Sequence, residues 1–174
     1  MPISSYASIP DIINSVIIKQ PRTLLDVGIG NGMYGAIVSN YIPSCKIYGI
    51  EAFPNYRTPL WNVYTHVNIS DVFKTDINDK YDCIIIADVI EHFEKETGLK
   101  VIEKLKEALS PAGILLISTP SIFCEQGAVG GNEFERHKSL FTKEDFQNIP
   151  GWEILKDGEP DKWGHYMLVT KFTK

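Results

Sequence analysis

Short runs of β-branched and aliphatic residues alternate along the chain with stretches whose apolar residues recur three and four apart. A continuous apolar run suits a strand covered on both faces, and a three-to-four repeat suits a helix with one buried stripe. Ile9 to Lys19 is accordingly predicted as a helix, with Ser8 as N-cap and Pro10 in its first turn. Arg22 to Val27 is predicted as a buried strand that breaks into a glycine segment, Gly28 to Gly32. Met33 to Tyr41 follows as a helix, ended by Pro43. Lys46 to Ile50 reads as a second strand closing on Glu51. Residues 54–62 read as irregular or briefly helical, and a faint third strand lies near Tyr64 to Ser70.

Tyr81 to Ala87 is the clearest strand. The long helix after it is predicted to bury Leu99, Ile102, Leu105 and Leu109 on one stripe, and Ser110 to Gly113 to end it. Ile114 to Thr119 is another buried strand, stopped by Pro120. A long polar segment, Ser121 to Ser139, comes next, and Thr142 to Asn148 begins like a capped helix. Residues 152–157 and 165–172 alternate as two closing strands, close enough in sequence for an antiparallel pair at a sheet edge. Strand–helix alternation of this kind predicts an α/β fold, a mainly parallel sheet with helices on both faces. The 174 residues are the size of one domain, expected over 1–174: an N-terminal helix (1–20), a core (22–120) and a closing part (121–174).

Composition narrows the function classes. The chain is 44% hydrophobic and 22% charged, so disorder is not expected to dominate. A net charge of −5 offers no general attraction to phosphate backbones, so nucleic acid is not an expected partner. Cys45, Cys83 and Cys124 form no CxxC pair, which argues against a zinc knuckle or a disulfide framework. Cys45 and Cys83 lie in apolar runs and read as core. The stretch Ile9 to Ile18 is interrupted by Pro10, Asp11 and Asn14 and has no basic residues before it, so it does not read as a signal peptide. No run approaches the roughly 20 apolar residues of a membrane span, and the expected location is the cytoplasm. Oligomeric state is left open.

The segment Leu24-Leu25-Asp26-Val27-Gly28-Ile29-Gly30-Asn31-Gly32 carries most of the chemistry. Glycines at a strand-to-helix turn let the backbone turn tightly and approach a ligand closely. A dinucleotide GxGxxG would need glycine where Met33 stands, and a P-loop would need Gly-Lys-Ser/Thr; neither is present. Glu51 stands 21 positions after Gly30, at the tip of the second strand, where a carboxylate can accept hydrogen bonds from two ribose hydroxyls. Glycine turn and acid together point to a nucleoside-containing ligand.

The order of motifs resembles the class I S-adenosylmethionine-dependent methyltransferases. The glycine segment is similar to their first motif and Tyr48-Gly49-Ile50-Glu51 to their acidic second strand. Tyr81 to His92 resembles their fourth-strand motif, and Leu109 to Ser118 their step into the fifth strand. The resemblance covers residues 22–120. It implies a Rossmann-like, seven-stranded sheet ordered 3-2-1-4-5-7-6 with strand 7 antiparallel, and S-adenosylmethionine as cofactor. It implies that Asp26 anchors the glycine loop and reaches toward the methionine amino group, directly or through water. Gly28, Ile29, Gly30, Asn31 and Gly32 would line the methionine and ribose, Glu51 would hold the ribose, and Ala52 would flank the adenine. Asp71 and Val72 would sit by the adenine, and Asp88 and Val89 would face the methyl end.

Methyl transfer from a sulfonium is an in-line displacement, and the enzyme's main task is positioning. A base is needed only if the acceptor must lose a proton. Glu91 and His92 follow the fourth strand, at the mouth where ligands of open α/β sheets bind, and His137 lies in the segment returning after the fifth. All three are candidate catalytic residues; for Glu91 and His92 the alternative is packing at the start of the helix. Asp88-x-x-Glu91-His92 is similar to the Glu-x-x-Glu-His with which ubiquinone-pathway O-methyltransferases and small-RNA 2′-O-methyltransferases bind a divalent metal. Asp88, Glu91, His92 and His137 would be the ligands, but Asp is shorter than Glu, and no metal is expected. The glycine-bearing loop from Phe123 to Phe134 reads as part of an acceptor lid. Tyr6, Trp163 and Tyr166 read as core packing ahead of pocket lining.

The expected function is therefore methyl transfer from S-adenosylmethionine to a small-molecule acceptor, at O or N. The alternatives are an RNA 2′-O-methyltransferase-like enzyme and a non-catalytic S-adenosylmethionine-binding module. Adenine N6 chemistry is disfavoured because the fourth strand ends in Ala-Asp-Val-Ile, and cytosine C5 chemistry because no cysteine follows a proline.

Overall fold

The computed structural model describes residues 5–160, 164 and 166–174. Its strands and helices are α1 (Ile9–Lys19), β1 (Thr23–Val27), α2 (Met33–Tyr41), β2 (Lys46–Glu51), β3 (His66–Ile69), β4 (Tyr81–Ala87), α3 (Lys95–Glu107), β5 (Leu109–Pro120), β6 (Trp152–Pro160) and β7 (Tyr166–Thr173). The seven strands form one sheet in the order β3-β2-β1-β4-β5-β7-β6. β1 to β5 pair in parallel, and β7 runs antiparallel to both β5 and β6. This is the Rossmann-like methyltransferase order that the resemblance implied.

β1, β4 and β5 are rich in apolar residues because successive side chains point to opposite faces and both faces are covered. Leu25, Val27, Ile84, Ile86, Leu115 and Ile117 point to one face, where Val101, Ile102 and Leu105 of α3 and the rings of Phe141 and Phe146 cover them. Leu24, Cys83, Ile85, Ala87, Ile114 and Leu116 point to the other, against Ile12 and Val16 of α1 and Tyr34 and Val38 of α2. Burying one such aliphatic side chain contributes roughly 1.5–3 kcal/mol, so these two layers hold the fold together. Strand order reverses between β1 and β4, and the crevice beyond their carboxyl ends is where open α/β sheets place ligands.

Four local expectations need correction. Ser8 occupies the N-cap position, but its hydroxyl donates to the Ser5 carbonyl (2.8 Å) and does not cap α1. The buried stripe of α3 is Gly98, Val101, Ile102 and Leu105; Leu99 is 41% exposed, and Leu109 is the first residue of β5. Leu109 pairs with Tyr81 and Ile114 with Cys83, so Ser110 to Gly113 form a bulge in β5 that the Ser110 hydroxyl pins to Asp82 (2.9 Å). The segment from Thr142 makes only a 3₁₀ turn, Lys143–Asp145. Thr142 and Asp145 form the capping box, but Asn148 already has a left-handed φ of 62°, which ends any helix. The closing strand β6 runs on to Pro160, with register shifts past Ile154 and Asp157. No helix among the described residues is long and apolar enough to cross a membrane.

Candidate active site

The turn after β1 leaves the sheet through Gly28 and Gly30, at φ 73° and 51°. At Gly28 the left-handed backbone is joined by a close approach: a Cβ there would collide with Cγ2 of Val89. The Gly30 amide donates to Oε2 of Glu51 (2.9 Å), and its carbonyl accepts from the Trp61 indole (2.9 Å). Asn31 accepts from the Met33 amide (3.1 Å) through its side chain and from the Thr58 hydroxyl (2.6 Å) through its carbonyl. The loop is therefore pinned on both sides before any ligand arrives.

A cavity of about 670 Å³ opens above this turn. Gly28, Ile29, Gly30 and Asn31 form its floor. Glu51, Ala52, Asp71 and Val72 line one end, and Asp88, Val89, Glu91, His92 and His137 the other. Two of the expected residues stand outside the lining. Gly32 turns away as the N-cap of α2, where a Cβ would press on Trp61 and Leu60. Asp26 lies beneath the floor, 2% exposed, and accepts a hydrogen bond from the Tyr64 hydroxyl (2.6 Å). Burial pushes the Asp26 carboxyl up to about 7, against the lowering effect of that bond.

Glu51 spends one lone pair of each carboxylate oxygen on the loop: Oε2 on Gly30 and Oε1 on the Phe53 amide (2.8 Å). A carboxylate has about four acceptor sites, so it retains capacity toward the cavity. Burial raises its pKa. Asp71 accepts from the Phe73 amide (2.9 Å), which folds the turn after β3.

At the other end, a 3₁₀ turn at Ile90–His92 bridges β4 and α3. Glu91 is 3% exposed; its side chain accepts from the Thr119 hydroxyl (3.2 Å), and its carbonyl accepts from the amides of Lys138 and Ser139. Those last two bonds draw the returning segment over the cavity and bring the rings of His92 and His137 to 5.0 Å between centroids. Burial, then the charge of Asp88, holds the Glu91 carboxyl well above the usual carboxylate range. Burial, then His137, pushes His92 down to about 4. Nδ1 of His92 is buried without a hydrogen-bond partner among the described residues. The Cys124 carbonyl contacts Nδ1 of His137 at 2.6 Å. A carbonyl only accepts, so this contact assigns a proton to Nδ1, and in the neutral ring Nε2 is then the acceptor.

Glu91, His92 and His137 each offer a ligand atom within 4.8 Å of the others. Asp88 is not part of this group. It takes a left-handed φ of 54° and is tied to the Ser118 hydroxyl (2.7 Å) and the Ser5 amide (2.6 Å). Glu91 and His92 both lie in the turn ahead of α3 and line the cavity.

The family follows from this arrangement and from sequence. A model of the methyltransferase domain matches residues 6–158. The chain belongs to the methyltransferase-domain family. No curated protein matches the sequence. Among solved structures, a 1,6-didemethyltoxoflavin N1-methyltransferase from Burkholderia thailandensis, with S-adenosylhomocysteine bound, superposes with a TM-score of 0.69 at 17% identity, over 97% of this chain and 78% of that one. An amino pentose methyltransferase from Micromonospora echinaspora, with S-adenosylmethionine bound, gives 0.66 at 14% identity over 97% and 91%. A mitomycin 7-O-methyltransferase gives 0.64 at 17% identity over 97% and 54%. The chain spans about half the length of several of the methyltransferase structures it matches. At such identities the likeness establishes the methyltransferase fold.

Several residues that build this cavity carry no clear signal in the sequence. Tyr64 and Trp61 come from the irregular stretch after β2, and nothing in their spacing points to Asp26 or Gly30. Asn132 is 2% exposed and donates to the Tyr56 hydroxyl (2.9 Å), which fastens the 121–139 segment to the opposite wall. Ser118 and Thr119 did carry a signal, as hydroxyl residues at the carboxyl end of a buried strand. Tyr6 and Tyr166, read as packing residues, line the cavity at 55% and 36% exposure. Trp163 lies outside the described residues. Of the cysteines, Cys83 is buried as expected, Cys45 is half-buried, and Cys124 is exposed at the cavity.

Proposed function

We propose that this chain transfers the methyl group of S-adenosylmethionine to a small-molecule acceptor, at oxygen or nitrogen, by in-line displacement. One observation carries the reading: a single cavity joins the glycine floor and Glu51 at one end to Glu91, His92 and His137 at the other. The nucleoside would sit over Gly28 to Asn31, its ribose against the free acceptor sites of Glu51 and its adenine by Ala52, Asp71 and Val72. The sulfonium would then face Asp88, Val89 and the histidine pair. S-adenosylmethionine would supply the methyl group to an acceptor lone pair, and Nε2 of His137 would take the acceptor proton. Neighbours named for both O- and N-methyl transfer support a small acceptor and leave either atom open.

A second reading rests on the convergence of three ligand atoms. Glu91, His92 and His137 suit a divalent cation, which would polarise an acceptor hydroxyl. The discriminating experiment follows methyl transfer from labelled S-adenosylmethionine to a metabolite extract, with and without EDTA. The primary reading expects turnover that EDTA leaves intact and His137→Ala abolishes. Turnover abolished by EDTA and restored by a divalent cation favours the metal reading. Binding of S-adenosylhomocysteine without turnover on any extract leaves a cofactor-binding module, and loss of that binding overturns the site.

A further inference from the structure

The outer half of the cavity is walled by apolar side chains that remain open to solvent. Tyr6, Ile122, Val129, Phe134 and Tyr166 are 55, 53, 39, 49 and 36% exposed, and all face the same space. Contiguous exposed apolar surface on a folded chain marks a binding site more often than an accident of composition. Here the surface is built. Three segments remote in sequence contribute to it, and each is fastened. The Ser5 amide donates to the half-buried Asp88 carboxylate (2.6 Å), next to Tyr6 at the mouth. The Ser121 amide donates to the Tyr166 carbonyl (3.0 Å), which sets Ile122 beside that ring. Val129 and Asn132 pair across a turn whose Gly130 and Gly131 have left-handed φ of 57° and 81°, and Asn132 bonds to Tyr56 (2.9 Å), holding Val129 and Phe134 over the space.

We propose that this wall is the acceptor subsite and that the acceptor has a flat, apolar, aromatic body carrying one hydroxyl or amine. The aromatic body stacks among Tyr6, Phe134 and Tyr166, whose rings favour offset or edge-on partners. The single polar group reaches inward to the Glu91, His92 and His137 end, the polar side of the same chamber. A sugar or a nucleotide would leave its hydroxyls or phosphate facing Ile122, Val129 and Phe134 unpaired, a cost that sets such molecules apart. The class of acceptor rests on the methyl-transfer reading; the existence of the apolar subsite does not.

The test measures binding of 2-naphthol, cytidine and sorbitol by saturation-transfer NMR and calorimetry to the full chain saturated with S-adenosylhomocysteine. The expected result is that 2-naphthol binds and cytidine and sorbitol do not. The doubly substituted chain, Ile122→Ser with Phe134→Ser, should bind 2-naphthol at least tenfold more weakly with unchanged affinity for S-adenosylhomocysteine. Both side chains are exposed, so the variant keeps its core. Absence of 2-naphthol binding, indifference of that binding to the two substitutions, or tighter binding of cytidine or sorbitol overturns the proposal. If S-adenosylhomocysteine fails to bind while 2-naphthol binds and responds to the substitutions, the apolar subsite stands and the methyl-transfer reading falls.

Discussion

The Tyr64 hydroxyl donates a 2.6 Å hydrogen bond to Oδ2 of Asp26 and accepts one from the Gly35 amide (3.2 Å). It thus ties the strand before the glycine turn to the helix after it. Tyr64→Phe removes the donor and leaves a buried carboxylate and a buried amide without this partner. A loss of about 1–3 kcal/mol in urea unfolding is expected. Gly35→Ala should cost at least as much, because a Cβ there would collide with the Tyr64 ring.

Asp26 also sets a pH dependence. Its carboxyl sits at about 7 in the folded chain against an ordinary value of 3.8, so the folded state binds the proton more tightly. The associated stability is fully present below pH 3.8 and is lost as pH rises through 7. Between pH 4 and 8, Asp26→Asn should therefore flatten the fall in stability with pH seen for the unsubstituted chain, as read by urea midpoints across that range.

At the cofactor floor, Gly28→Ala forces a Cβ into Val89 on a left-handed backbone, which costs roughly 1–2 kcal/mol before the clash is counted. Calorimetry should show S-adenosylhomocysteine binding at least tenfold weaker. If the proposed site holds, Glu51→Ala should weaken that binding by about 1–3 kcal/mol, because the amides of Gly30 and Phe53 lose their acceptor and the ribose would lose one too.

The revised face of α3 is open to a simple comparison. Leu99→Ser should change stability by less than about 0.5 kcal/mol, as an exposed substitution. Ile102→Ala, at 3% exposure, should cost about 2–5 kcal/mol. Equal effects in thermal or urea unfolding would restore the stripe drawn from sequence.

The bond from Asn132 to Tyr56 makes a further claim on the 121–139 segment. Asn132→Ala should speed limited proteolysis within that segment several-fold while leaving the far-ultraviolet circular dichroism unchanged. Unaltered cleavage would show that the segment is held without this bond, by others such as those from Lys138 and Ser139 to the Glu91 carbonyl and from Ser121 to Tyr166.

The buried strands, the glycine turn and the acid that ends the second strand were legible in the residues themselves, because each depends on local constraints. Leu24 to Val27 and Cys83 to Ala87 must be buried on both faces. Gly28 and Gly30 must adopt positive φ, and Glu51 must end a strand beside them. The α3 stripe was misdrawn because Leu109 fits the helical spacing, and only pairing with Tyr81 gives it to β5. The sequence order already set His137 beside Glu91 and His92 at the sheet mouth, whereas Tyr64 under Asp26 and the placing of Tyr6, Ile122, Phe134 and Tyr166 around one cavity were not legible. Spacing along a chain reports what its own backbone periodicity orients. Asp26 and Tyr64 stand 38 positions apart and Tyr6 and Tyr166 stand 160 apart, and only strand pairing and long-range hydrogen bonds bring such segments together.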